Sequence, residues 1–341
     1  MTPQKYFNLR IGSALKWARK NLFNTWYNSL LTVGCLWIIY QLLKDFTIWI
    51  TGQAKWEIIR ENFRLFLVGR YPESEYWRLW LVLVALATLI GLSWVRKIRN
   101  QLPVIWILAF PIILWLIGGG LGLSKVDTNL WNGLLLTLLM AVTSIILSFP
   151  LGILLALGRT SQLPVVRWFS IIYIEVIRGL PLIGILFIAQ VMLPLVLPPE
   201  IRLDRVLRAS AGLTLFSAAY IAENVRGGLQ AIPRSQIEAA KALGLNPPLV
   251  VLLIILPQAL RIAIPSIVGQ FIGLFKDTTL LSIVGLLELL GMARSILAQP
   301  EFMGSYAEVY LFVGALYWLC CYGMSLASRR LEENLAKRKP S

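Results

Sequence analysis

Ser235–Pro248 reads SQIEAAKALGLNPP, a half-polar stretch between two long apolar runs, and how it folds decides what kind of chain this is. Ser235 followed three residues later by Glu238 has the spacing of a capping box, with Pro233 just upstream, and predicts a helix start. Gly244 fits a left-handed stop, and Asn246-Pro247-Pro248 bars continuation. The helix between is about eight residues, roughly 12 Å, too short to cross a bilayer. So short a helix is marginal alone in water, so something must pack against it. Ile237, Ala240, Leu243 and Gly244 share one small apolar side, with Glu238 and Lys241 off it; that side suits a groove on another protein better than a lipid surface.

The flanking sequence belongs to a membrane protein. Of 341 residues 57% are hydrophobic and the mean hydropathy is +0.72, which excludes an ordinary soluble globule. A spanning helix needs about 20 mostly apolar residues, and roughly eight stretches qualify, near 30–50, 79–95, 103–121, 130–157, 168–197, 206–225, 249–287 and 307–327. Strands of alternating polarity and barrel length are absent from the sequence, so an all-α polytopic protein with about eight transmembrane helices is expected. The first span is expected to anchor the chain, because no cleavage pattern follows the basic N-terminus.

Histidine is absent and Cys35, Cys320 and Cys321 all lie in apolar segments, so the sequence offers no stock for a zinc site, a His-based triad or a disulfide framework. The net charge of +15 reads as membrane topology and not as nucleic-acid binding, because Lys and Arg are scattered between spans. The N-terminus, the loops 96–102, 158–167 and 226–248, and the C-terminal tail carry 18 Lys and Arg, against ten on the other side. Both termini and Ser235–Pro248 are therefore expected in the cytoplasm.

The chain divides by texture. Residues 1–128 read as an accessory part with about three spans, a long loop over 51–78 and a tight basic turn at Val95–Asn100. A phosphate loop needs Lys and Ser/Thr directly after its last Gly, but after Gly118-Gly119-Gly120-Leu121-Gly122 Leu123 intervenes and Ser124 precedes Lys125, so a flexible helix end is expected, leaving no ATP site on this chain. Residues 129–330 read as a core with about five spans, interrupted by Pro and Gly and carrying ionisable groups at depth, the texture of a pathway. Residues 331–341 form a tail.

Three polar clusters fall in the core. In Glu175-Val176-Ile177-Arg178-Gly179-Leu180-Pro181, Glu175 and Arg178 are three apart and can pair on one helix face, either as a clamp or as a charged wall in which Arg178 offers its donors to a carboxylate. A break at Gly179 and Pro181 would leave half-helix ends able to take a small zwitterion. Glu223 can meet an ammonium group or pair with Arg226. In Gly269 to Leu280, which includes Gln270, adjacent Lys276 and Asp277 point different ways and favour a broken helix or gate, with Thr278 and Thr279 satisfying local backbone.

Glu238-Ala239-Ala240, Gly244 and then Ile254-Ile255-Leu256-Pro257 together resemble the permease subunit of bacterial ATP-binding-cassette importers, and the runs Tyr173–Leu182, Ala222–Gly228, Leu256–Arg261 and Lys276–Leu280 are similar to polar amino-acid uptake permeases. The resemblance covers 129 to about 330. It implies a type I ABC importer permease core in a bacterial inner membrane, with Glu238, Ala239, Ala240, Lys241, Ala242, Leu243 and Gly244 as a cytoplasmic coupling helix docked in an ATPase cleft. It implies no cofactor on this chain and no metal, with ATP used by two partner ATPases, and an extracytoplasmic amino-acid-binding protein as donor. The extra N-terminal spans are similar to the longer of the two permeases in general L-amino-acid importers, which implies a heterodimer with a second permease. By the same resemblance Glu175, Arg178, Gly179, Leu180, Pro181, Glu223, Gln270, Lys276, Asp277 and Thr278 border the substrate path, with Leu180 where many short relatives carry Thr and Gly269 where many carry Asn. The alternative class is an ion-coupled secondary amino-acid carrier, which should show an inverted internal repeat and has no need of a docking helix.

Overall fold

The structure is a computed structural model that describes residues 16–92, 101–198 and 200–336; the basic turn Val95–Asn100 lies outside the described residues. The chain forms two compact units, Met1–Trp56 and Glu57–Ser341. In the first, helix α1 (Trp26–Ile48) starts at Thr25, whose hydroxyl accepts from the Asn28 amide, and runs on as a π-helical turn over Trp49–Gln53. No residue of α1 is buried.

The second unit opens with α2 (Glu57–Val68), within what was expected to be a long loop over 51–78. Ile58, Asn62 and Phe66 recur every four residues and are buried, while Glu57, Arg60, Glu61 and Arg64 face outward, a helical stripe inside a charged segment. Next come α3 (Tyr76–Leu92), α4 (Leu102–Gly118), α5 (Gly133–Arg159), α6 (Pro164–Gly179) and α7 (Leu182–Phe187), which continues through a π turn, Ile188–Met192, to Val196. They are followed by α8 (Arg205–Gln230), α9 (Arg234–Ala242), α10 (Leu256–Asp277), α11 (Leu289–Leu297) and α12 (Tyr306–Ala336). Helix α12 thus takes in residues 331–336, the start of the expected tail.

Among the described residues each of the eight apolar stretches contains helix, five helices are long and apolar enough to cross a membrane, and α6 with the chain over Leu182–Val196 makes a sixth if that bent pair is one span. Two of the expected eight fail for different reasons. Helix α4 has only 17 residues. Helix α8 is long but carries Arg208, Thr214, Ser217, Glu223 and Arg226, which it tolerates because it lies at the centre of the bundle, packed by α5, α6 and α10. Small residues let these helices close on one another: a Cβ on Gly152 would meet the side chain of Ile221 at 2.6 Å.

The glycine run after α4 is a fixed turn, not a flexible end. Gly120 and Leu123 exchange backbone hydrogen bonds of 3.0 and 3.2 Å around Leu121 and Gly122, both at positive φ (49° and 99°), which is the geometry of a type I′ hairpin. Arg78, 1% exposed, anchors it: the guanidinium donates to the Ser124 carbonyl (2.8 Å) and hydroxyl (2.6 Å) and pairs with Glu75 at 2.7 Å. Arg78→Met should lower stability by about 3 kcal/mol, since it leaves Glu75 without its cation in a desolvated corner. A matched fall in the melting midpoint of the purified protein checks this, and Arg78→Lys should recover part of it.

At the other side of this unit, α11 begins at Glu288, which is 0% exposed. Its carboxylate accepts from the Leu290 and Gly291 amides (2.8 Å each) and from the Tyr317 hydroxyl (2.9 Å). Helix α2 packs on α11 and α12 through Ile58 and Phe66, so the accessory part shares a core with Leu289, Met292, Ile296 and Val309.

Candidate translocation path and coupling face

Five charged side chains meet across α5, α6 and α8. Glu223 accepts from Arg226 through both oxygens (2.8–3.0 Å) and from Arg159 (3.0 Å), and pairs with Arg178 at 3.5 Å. Arg159, the last residue of α5, also donates to Glu175 at 2.9 Å. Glu175 and Arg178 therefore do not bond each other as their spacing suggested. Each turns to a partner on a neighbouring helix, because Arg159 lies within reach of both carboxylates and one guanidinium can serve two acceptors. The expected pairing of Glu223 with Arg226 is present, as one edge of this larger network.

Three Arg against two Glu leave the cluster one positive charge in excess. Glu223 is its shielded hub, with 14% of its side chain exposed, whereas the side chains of Glu175 and Arg178 are 55% and 37% exposed. Such a network offsets the cost of holding ions away from water while leaving some donor and acceptor capacity facing outward. The Arg178 guanidinium also lies 5.7 Å from the centre of the Tyr220 ring.

Immediately after Arg178 the chain turns by 105°. Gly179 ends α6, Leu180 and Pro181 are extended (ψ 140° and 138°), and Leu182 starts the next helix. Pro181 cannot continue the i to i−4 bonding, and Gly179 leaves open space where a Cβ would stand. The C-terminal end of one half-helix and the N-terminal end of another thus meet beside a partly exposed arginine, which juxtaposes oriented carbonyls and amides with a cation.

The α10 residues lie elsewhere. The Asn224 side chain reaches the Ser266 carbonyl at 3.3 Å, so Glu223 stands level with the middle of α10, and Lys276 is about 15 Å further along the axis. Gln270 and Asp277 are half-buried and Lys276 is exposed. Thr278 is 0% exposed and donates to the Phe275 carbonyl at 2.6 Å, so it faces the core and offers nothing to a passing solute. No sharp break occurs at Lys276-Asp277: the α-helix ends there and tightens into a 3-10 turn over Thr278–Ser282.

Helix α9 agrees with its reading at one end only. Its N-cap is Pro233, with no side-chain capping bond, and the first turn begins at Arg234, so Ser235 is already inside the helix and the capping box does not form. At the far end Gly244 has φ 78°, its amide bonds the Lys241 carbonyl (2.9 Å), and the Leu245 amide bonds the Ala240 carbonyl (3.2 Å), which together make a Schellman stop. Asn246 then caps the following turn by accepting from the Leu249 amide at 3.1 Å, and Pro247 stands at its first position. The proposed small apolar face is divided: Ala240 is buried against this chain and Ile237 half-buried, while Glu238, Ala239, Lys241, Ala242 and Leu243, the last 83% exposed, point away.

Behind α9 lies a six-residue π-helical segment, Val250–Ile255, which packs on it and leads into α10. Pro257 has no amide hydrogen, which breaks the regular ladder one turn back, and the Gln258 side chain donates to the Ile254 carbonyl at 2.8 Å. The Ile254–Pro257 run thus carries a physical signature, a register shift at the start of a long span.

Residues 148–337 match the family of binding-protein-dependent transport system inner membrane components. Among relatives, the chain is similar to the inner membrane amino-acid ABC transporter permease protein YhdY of Escherichia coli K12, 41% identical over 94% of this chain and 92% of that one. It is 36% identical, over 95% and 94%, to the glutamate/glutamine/aspartate/asparagine transport system permease protein BztC of Rhodobacter capsulatus. A solved structure of an amino acid ABC transporter with histidines shares 27% identity and a TM-score of 0.53, over 59% of this chain and 92% of that one. The chain belongs to the binding-protein-dependent ABC transport permeases. It is a multi-pass inner membrane permease subunit of an amino-acid uptake system, lacks an ATPase domain, and works with an ATPase and a binding protein.

Proposed function

We propose that this chain pairs with a different permease chain, and that the two build one translocation path driven by two ATPases through α9. Similarity over nearly the full length of the long relatives, accessory part included, supports a permease role for the whole chain. The outward row Glu238, Ala239, Ala242 and Leu243 is the coupling surface, with Lys241 at its margin, while Ala240 holds α9 to its own chain and Gly244 ends it. Both termini lie in the cytoplasm, on the side of α9.

The 105° bend carries the reading of the path: Arg178 with Gly179, Leu180 and Pro181 forms its wall for an amino-acid carboxylate, backed by Glu175 and Glu223. Lys276 and Asp277, with Gln270, line the far end, and Thr278 supports them from within. Purification from native membranes should retain an ATPase and a second permease. Reconstituted with both, uptake should require ATP; uptake by this chain alone on a proton or sodium gradient would establish a secondary carrier instead.

A further inference from the structure

The path residues Lys276 and Asp277 end α10, and the 3-10 turn after them is held from behind by a cluster that no residue of the path explains. Glu288 is wholly buried at the head of α11. Its two oxygens take three donors, two backbone amides and Tyr317 of α12. The Tyr317 hydroxyl also meets the hydroxyls of Thr137 on α5 and Thr278 in the turn. Thr137 donates to the Gly133 carbonyl (3.1 Å) and accepts from the Leu289 amide (3.0 Å), while Thr278 donates to Phe275. Both threonine protons are therefore committed to backbone. The Tyr317 proton has a choice: the Glu288 carboxylate or a threonine oxygen.

We infer that Glu288 is a positioning residue for transport, whose ionisation sets how firmly α11, α12 and the 278–282 turn are locked together at the outer end of the path. With Glu288 ionised, three donors converge on it in charge-assisted bonds, about twice as strong as neutral ones. When Glu288 takes up a proton, its own O–H donates to the Tyr317 oxygen, Tyr317 turns its proton to a threonine, and the corner stays closed with every group partnered and no ion to desolvate. Because an ionised Glu288 regains hydration when the corner loosens, opening of the outer end that moves this turn is faster in the ionised form.

The surroundings set the titration in an accessible range. Burial pushes the Glu288 carboxyl up to about 7, against the pull of the Leu290 and Gly291 amides, Tyr317 and the positive Arg294 on α11. Helix α2 adds only apolar Ile58 and Phe66 to this corner, and α5 and the turn add neutral hydroxyls. Since the folded state holds this proton more tightly than the unfolded one, Glu288 costs stability as pH rises from the ordinary carboxylate range through about 7.

Glu288→Gln keeps the shape and mimics the neutral form, accepting the two amides and donating to Tyr317. Uptake by the assembled transporter, with binding protein supplied outside, should be compared for the two forms from about pH 6 to about pH 8, across which the protonated fraction falls roughly tenfold. The ratio of variant to wild-type rate should start near one and decline with that fall; a ratio independent of pH overturns the inference. Melting of the purified chain gives a second readout that needs neither transport nor a known orientation. The wild-type midpoint should drop relative to Glu288→Gln as pH rises through 7, whereas two parallel curves would mark Glu288 as a structural cap alone. Tyr317→Phe removes one donor from the carboxylate and should move the wild-type inflection to higher pH.

Discussion

Glu238→Lys is expected to cut ATP-driven uptake by about two orders of magnitude, the effect of reversing a charge inside a desolvated interface. The location of Glu238 makes this a test of coupling and not of folding. It is exposed on the outward row of α9, it makes no hydrogen bond or ion pair with its own chain among the described residues, and the helix keeps its Schellman stop and its seat through Ala240 whatever stands at 238. Membrane insertion and the melting midpoint should be unchanged, within the few tenths of a kcal/mol usual for surface substitutions. Uptake in reconstituted vesicles, measured beside recovery of the ATPase on purification, separates the cases. Normal uptake by the variant would mean that force enters this chain elsewhere.

Gly133→Ala is expected to destabilise the protein by about 3 kcal/mol, combining left-handed backbone strain with displacement of a neighbouring chain segment. Gly133 has φ 63°, and a Cβ there would stand 2.6 Å from the Phe66 carbonyl oxygen and 2.8 Å from that of Leu65. Its amide donates to the Leu287 carbonyl at 2.8 Å, so the start of α5, the end of α2 and the head of α11 close on this one position. Gly91→Ala is the control, because open space surrounds its Cβ and Ala is the better helix former there. A melting midpoint lowered at 133 and held at 91 identifies the accessory helix as part of the core, and equal midpoints would deny it.

What could be read from the sequence follows the range of the interactions concerned. The end of α9 was legible because Gly244 and Asn246-Pro247-Pro248 act through their own backbone. Its start was not: Ser235 and Glu238 have the spacing of a cap, but Pro233 supplies the extended residue two places earlier, and the helix is under way before Ser235 can cap it. The bend was legible in Gly179 and Pro181. Which ion pairs which was not, since Arg159 is 16 residues from Glu175 and 64 from Glu223, and no spacing rule connects them. Helix α2 did leave a signal, apolar or buried positions at 58, 62 and 66, hidden by a charge density that resembled a loop. Glu288 left none, because the burial of one carboxyl is decided by four separate segments. Thr278 was legible as satisfying backbone, which its bond to the Phe275 carbonyl does.

Asn246 separates the end of α9 from the start of the next helical turn by so few residues that the joint has no slack. A shove delivered to α9 cannot be taken up in a loop and must arrive at Val250–Ile255, the one stretch of this arm whose winding departs from the regular helix. On the coupling role proposed for α9, compliance in the lever would be concentrated in six residues, and the stroke reaching the far end of α10 would be set by how much those six rewind, more than by how far the partner moves.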